Sequence, residues 1–221
     1  MNILRTWKDF FSFLLAPAID HKEGSLLEKS LSAFYIFILK VILVIITGLL
    51  LHLLFGNPDP KILNSTLINT SIFIALFAGV FEEIVYRLSL TKFNPWYLSI
   101  SLAGFLFIII KKLYFRNMLL ENEGLLVSSL IAVASFPIFY LITKKFTEQL
   151  ERFWQKHFGI VFYISAFLFA ISHFFNAKEL ELVNLKSNIS HLFSALILGY
   201  VRIRSGIVAA IILHIVWDLM L

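Results

Sequence analysis

The stretch "FAGVFEEIVYRLSL" (77–90) sets Glu82, Glu83 and Arg87 inside a run otherwise fit for lipid. A charged side chain at the bilayer centre costs about 2.5–3.5 kcal/mol on insertion scales, so three of them in one segment ask for a reason. Glu83 and Arg87 are four residues apart and on a helix would share one face and pair. Glu82 points about 100° away. Either both acids mark a helix end while Arg87 snorkels to the headgroups, or Arg87 neutralises one glutamate and leaves the other free as a base. A second candidate is His173 in "FLFAISHFF" (167–175), with Phe169 four residues earlier on the same face. Alone, such a histidine is more often a core residue bonded to a backbone carbonyl. The third is the pair His214 and Asp218 in "IILHIVWDLML" (211–221). Four residues apart, they could bind a metal, relay protons, hold a substrate carbonyl, or simply bond each other.

The elements that must carry these residues are membrane helices. Of the 221 residues, 59% are hydrophobic and 15% charged, and the mean hydropathy is +0.87. Soluble domains run at about 45–50% apolar and about 25% charged. There are no cysteines, which excludes disulfides and thiol chemistry. The net charge of +5 sits between apolar runs, where loop lysines at a membrane surface account for it without nucleic acid. A spanning helix needs roughly 20 mostly apolar residues. The pattern predicts an all-α, polytopic transmembrane bundle with about seven spans, six or eight being the neighbouring counts. They fall at about 31–55, 66–90, 96–110, 124–142, 158–175, 189–201 and 207–221. The third and the last two look short for full spans. Charged or turn-forming connectors lie at 56–61, 92–95, 111–117, 144–156, 176–188 and 202–206.

Residues 1–30 read as an N-terminal interfacial segment, and 31–221 as the transmembrane domain. Residues 7–20 loosely mimic a secretory signal with an A-P-A. The charge ahead is only Arg5 and Lys8, diluted by Asp9. The expectation is instead an amphipathic helix at the interface, with Trp7, Phe10, Phe11 and Leu14 facing lipid. With the N-terminus inside, the inside segments hold 4 + 2 + 4 + 2 = 12 Lys and Arg, and the outside connectors 1 + 3 + 2 = 6. That favours a multi-pass protein of the cell membrane with a cytoplasmic N-terminus.

Intramembrane ionisable residues usually face the bundle interior and one another. The simplest arrangement is one cluster of Glu82, Glu83, Arg87, His173, His214 and Asp218, with a carboxylate base, an imidazole partner and oxyanion donors. In order along the chain, E-E-x-x-x-R (82–87), F-x-x-x-H (169–173) and H-x-x-x-D (214–218) resemble the signature of the CPBP family, the CAAX proteases and bacteriocin-processing enzymes also called Abi proteins. The approach "LILGYVRIRSGIVAAIILH" is similar too. The resemblance runs from about residue 70 to the C-terminus. It implies an intramembrane endopeptidase acting on a membrane-associated peptide or protein. By carry-over, Glu82 and His173 would activate water, His214 and Asp218 would stabilise the oxyanion, and Glu83 and Arg87 would order the site. Phe169, the first residue of its motif, would contact substrate. The eukaryotic relatives carry Asn where this chain has Asp218. An ionised Asp cannot donate to an oxyanion, so either Asp218 is protonated or it orients His214, which donates alone.

No cofactor is expected, because the resemblance leans towards a metal-free glutamate mechanism. The alternative is zinc on Glu82, His173, His214 and Asp218, although no H-E-x-x-H lies on one helix. His21, His52 and His157 read as helix-end or connector residues, and Lys40 as snorkelling or facing another helix. His191 reads as the start of a short helix, with a cavity-facing position as the minor alternative. The rival functions are a non-catalytic scaffold or immunity protein of the same fold and, less favoured, a small transporter. For the latter, no inverted repeat or matching pair of broken helices is visible. Oligomeric state and substrate identity are not written in the sequence.

Overall fold

The computed structural model describes residues 2–19, 24–55, 72–116, 119–174 and 182–220, with the backbone alone at 51, 52, 54, 55 and 182–188. His21, the side chain of His52, the 56–61 connector and most of the 176–188 connector lie outside this description. Every described element is helical: α1 (Ile3–Leu15), α2 (Leu26–Phe55), α3 (Ile72–Arg87), α4 (Pro95–Ile109) continuing into a π-helical stretch (Ile110–Tyr114), α5 (Leu125–Lys145), α6 (Thr147–Lys156), α7 (Phe158–Phe174), α8 (Leu182–Ser205) and α9 (Ile207–Met220). Each of the seven expected segments overlaps a described helix. By length and apolar composition, however, only Leu26–Leu50, Pro95–Tyr114 and Leu125–Lys145 qualify as spans among the described residues. A fourth is reached if α6 and α7, bent by 89°, count as one.

Local sequence explains several boundaries. The Asn94 side chain accepts from the backbone N–H groups of Trp96 (2.9 Å) and Tyr97 (3.3 Å), and Pro95 follows at the first helical position. Together they start α4 at the expected turn. Beyond Ile109 the structure departs from the expected 111–117 connector. The chain widens into a π-helical stretch, and Lys111 and Lys112 are both buried. Lys111 Nζ donates to the carbonyls of Glu121 (2.7 Å) and Glu123 (2.6 Å). Residues 144–156, expected as a connector, contain the amphipathic helix α6, whose Trp154 is buried and donates to Thr91 O at 3.0 Å.

Helix α1 also departs from expectation. Phe10 does not face lipid: it is 2% exposed and meets Tyr200 edge-on, with centroids 5.2 Å apart. Phe13 meets Phe162 in the same way at 5.1 Å. Trp7 and Leu14 pack against this cluster, and Trp7 Nε1 donates to Tyr35 O at 2.8 Å. An amphipathic stripe does not say whether lipid or protein covers it. Here α2, α7 and α8 supply an aromatic surface, and only the opposite residues, among them Leu4, Phe11 and Leu15, stay exposed.

The functional half is built from α3, α7, α8 and α9. Helix α3 is held at its C-terminal end, where helix carbonyls lack intrahelical partners. Arg202 on α8 donates from Nε to Arg87 O and from Nη2 to Leu88 O, both at 3.0 Å. Ser165 on α7 donates to Tyr86 O. Arg87 and Arg202, like Lys111 and Lys112, are thus buried rather than surface charges. That takes two residues from each side of the Lys/Arg count and leaves its direction unchanged. Gly79 sets the distance between α3 and α9. A Cβ there would lie 2.5 Å from Ile215 Cγ1 and 3.2 Å from the Ile215 backbone nitrogen.

Candidate active site

Three helices bring the six sequence-nominated residues together inside the bundle. Glu82, Glu83, Arg87 and His214 are all buried. Glu83, wholly buried, is the hub of one half. Its Oε1 accepts from Arg87 Nη1 at 2.5 Å and faces His214 Nδ1 at 2.8 Å. A carboxylate between a guanidinium and an imidazole is acceptor only, so His214 Nδ1 carries the proton and donates. The expected Glu83–Arg87 pair is therefore present, and it does more than neutralise charge. Glu83, rather than Asp218, fixes the orientation of His214.

Glu82 is the hub of the other half. Its Oε2 lies 3.6 Å from His173 Nε2 and 3.8 Å from His214 Nε2. Both distances exceed a direct hydrogen bond, and both are short enough for one water seated beside the line between the atoms to bond the two groups. His173 Nδ1 stands 2.9 Å from Phe169 O. A carbonyl can only accept, so that nitrogen is the donor, and in the neutral ring the Nε2 lone pair faces Glu82. The backbone bond usual for a core histidine is present here, and it aims the opposite nitrogen at a carboxylate. Asp218 Oδ2 lies 3.6 Å from His214 Nε2, beside the same nitrogen that faces Glu82 and outside direct bonding range.

Phe169 is 1% exposed and lies beneath this cluster. The Arg87 guanidinium sits 4.2 Å above its ring centroid, a cation–π contact. The rings of Tyr86, His173 and His214 surround it at 5.4, 4.5 and 5.8 Å. His191, on α8, stacks on His173 with centroids 4.1 Å apart at 28°, so it stands against the cluster.

Lys112 was hidden in the sequence. Its Nζ donates to Ser172 O at 2.7 Å, one of the last carbonyls of α7 and immediately before His173. A cation there suits the negative end of the helix. The available signal was the shortness of the 96–110 apolar run. Extending it to a full span takes both lysines inside.

The alternative zinc ligands carry donor atoms that zinc accepts. Among the described residues, however, no three His, Asp or Glu side chains form a group that could hold an ion.

A helical membrane protein with a carboxylate–imidazole cluster buried where its helices converge has the parts of a water-activating hydrolase. The type II CAAX prenyl endopeptidase Rce1-like family model matches residues 64–220. The chain belongs to this family, one of CAAX-protease-like intramembrane endopeptidases. No curated protein and no solved structure matches it.

Proposed function

We propose that the protein hydrolyses a peptide bond of a membrane-associated peptide or protein, with Glu82 as general base. The observation that carries this reading is Glu82 Oε2 facing the Nε2 atoms of both His173 and His214, at 3.6 and 3.8 Å. A water held between Glu82 and His173 gives its proton to the carboxylate as its oxygen attacks the peptide carbonyl carbon. The carbonyl π electrons move to oxygen. His214 donates to that oxyanion from Nε2, which requires both ring nitrogens to be protonated; Glu83 and Asp218 stand ready to balance the imidazolium. Collapse breaks the C–N bond, and the proton on Glu82 passes to the leaving amine. Arg87 holds Glu83, Glu83 holds His214, and Phe169 supports Arg87 and the two imidazoles from beneath.

General-base catalysis is worth about 10²–10⁴-fold and an oxyanion donor about 10²–10³-fold. The test is cleavage of a bilayer-embedded peptide library by purified protein. Glu82→Gln should abolish measurable turnover, because the amide keeps the shape but cannot take a proton. Full activity in Glu82→Gln would remove it as the base and leave Glu83 as the candidate. Well-folded wild type that cleaves nothing would favour the scaffold reading. Loss of activity on chelation, restored by zinc, would overturn the metal-free mechanism.

A further inference from the structure

The family match starts at residue 64, yet helix α2, which precedes it, sends Lys40 into the protein. Lys40 has no exposed surface. Its Nζ lies 3.9 Å from the centroid of the Trp217 ring. Among the described residues it has no hydrogen-bond partner. Phe37, three residues earlier on α2, meets the same indole edge-on at 6.2 Å, so the α2–α9 contact is centred on Trp217. Trp217 is the residue before Asp218 on α9, and the ammonium lies within electrostatic reach of Asp218, of Glu83 and Arg87 on α3 and of His191 on α8.

Burying a lysine without a hydrogen-bonded acceptor is costly, so its place there calls for an interaction with its surroundings. The signature residues bring three carboxylates, Glu82, Glu83 and Asp218, against one fixed cation. That cation, Arg87, is committed to Glu83. Asp218 has no cation at bonding distance among the described residues, only the His214 Nε2 at 3.6 Å. We infer that Lys40 is a positioning residue of the site: its ammonium, pinned on the Trp217 face, offsets the charge of Asp218 and holds the His214–Asp218 end of α9 in place. The site of this chain then draws on a helix outside the family-matched region. The inference rests on the peptidase reading for its effect on turnover, but the Lys40–Asp218 coupling itself does not.

Two measurements on the full chain test it. In peptide cleavage, Lys40→Met should lower kcat about tenfold while KM stays within about twofold, and Lys40→Arg should retain most of kcat, as expected for a charge acting at a distance. In thermal melts of the detergent-solubilised protein, Lys40→Met, Asp218→Asn and the double variant form a cycle. The double variant should lose less than the sum of the singles, because removing both charges leaves neither unbalanced. Additive melting shifts would overturn the inference, and an uncharged Lys40 would show itself in that way. So would unchanged kcat in Lys40→Met, or a Lys40→Arg as slow as Lys40→Met. If Lys40→Met does not fold, Lys40→Gln takes its place in both arms. If wild type cleaves no peptide, the peptidase reading fails, while the melting cycle still decides the coupling.

Discussion

Arg87 offers the sharpest energetic test. Its guanidinium is 1% exposed, bonds Glu83 at 2.5 Å and covers the Phe169 ring at 4.2 Å. Replacing it with Leu leaves Glu83, which has no exposed surface, with a single donor in His214. Breaking a buried ion pair from one side costs about 3–5 kcal/mol. The remaining bond from His214 Nδ1, at 2.8 Å, should hold the loss near the lower end, about 3 kcal/mol. For a chain of this size that is roughly 6–12 °C in Tm. Removing both partners with Glu83→Leu and Arg87→Leu leaves no stranded carboxylate. What remains is an orphaned His214 Nδ1–H, worth about 1–3 kcal/mol. The double variant should therefore melt at or above Arg87→Leu alone, and far above the sum of the two single losses. Thermal melts of the four purified proteins in one detergent complete the cycle. Additivity within about 0.5 kcal/mol would mean that Glu83 and Arg87 do not depend on each other, and would refute the reasoning.

Gly79→Ala should lower turnover with little loss of α-helix, because its Cβ would meet Ile215 and push α9, with His214, away from Glu83; unchanged kcat would show that α9 adapts. Lys112→Met should reduce kcat more than binding by releasing the end of α7 beside His173, with Lys112→Arg recovering part of it; equal losses in both variants, or none, would argue against this cap. Asp218→Asn should cost less activity than Glu82→Gln, since Asp218 only balances charge on His214 and the amide keeps its shape, and the reverse order in the peptide assay would exchange their roles. Reporter fusions at 111–122 should read as external if the N-terminus is cytoplasmic, and a cytoplasmic signal there would reverse the orientation or change the span count.

The candidate residues were legible because lipid makes polar groups conspicuous. Glu82, Glu83, Arg87, His173, His214 and Asp218 each stand out against an apolar run, and four-residue spacing tied Arg87 to Glu83 and Asp218 to His214. Lys112 escaped notice because two adjacent lysines look like the end of a span. Only the π-helical continuation shows that they turn inward. The lipid-facing assignment of Phe10 failed for a related reason, since an apolar stripe is the same whether lipid or an aromatic neighbour covers it.

By itself, the sequence determined the helical class and the rough places of seven of the described helices, and it singled out the ionisable residues within them, because hydrophobic run length and the period of 3.6 are local properties. It could not determine which carboxylate serves which imidazole. Asp218 is His214's neighbour on its own helix, yet the orienting bond comes from Glu83, 131 residues away in sequence. That choice depends on how far α3 and α9 approach and how each is rotated. Gly79 against Ile215, Arg202 on the end of α3 and the Arg87–Phe169 stack set those positions. They are contacts between helices, which spacing along one helix does not encode.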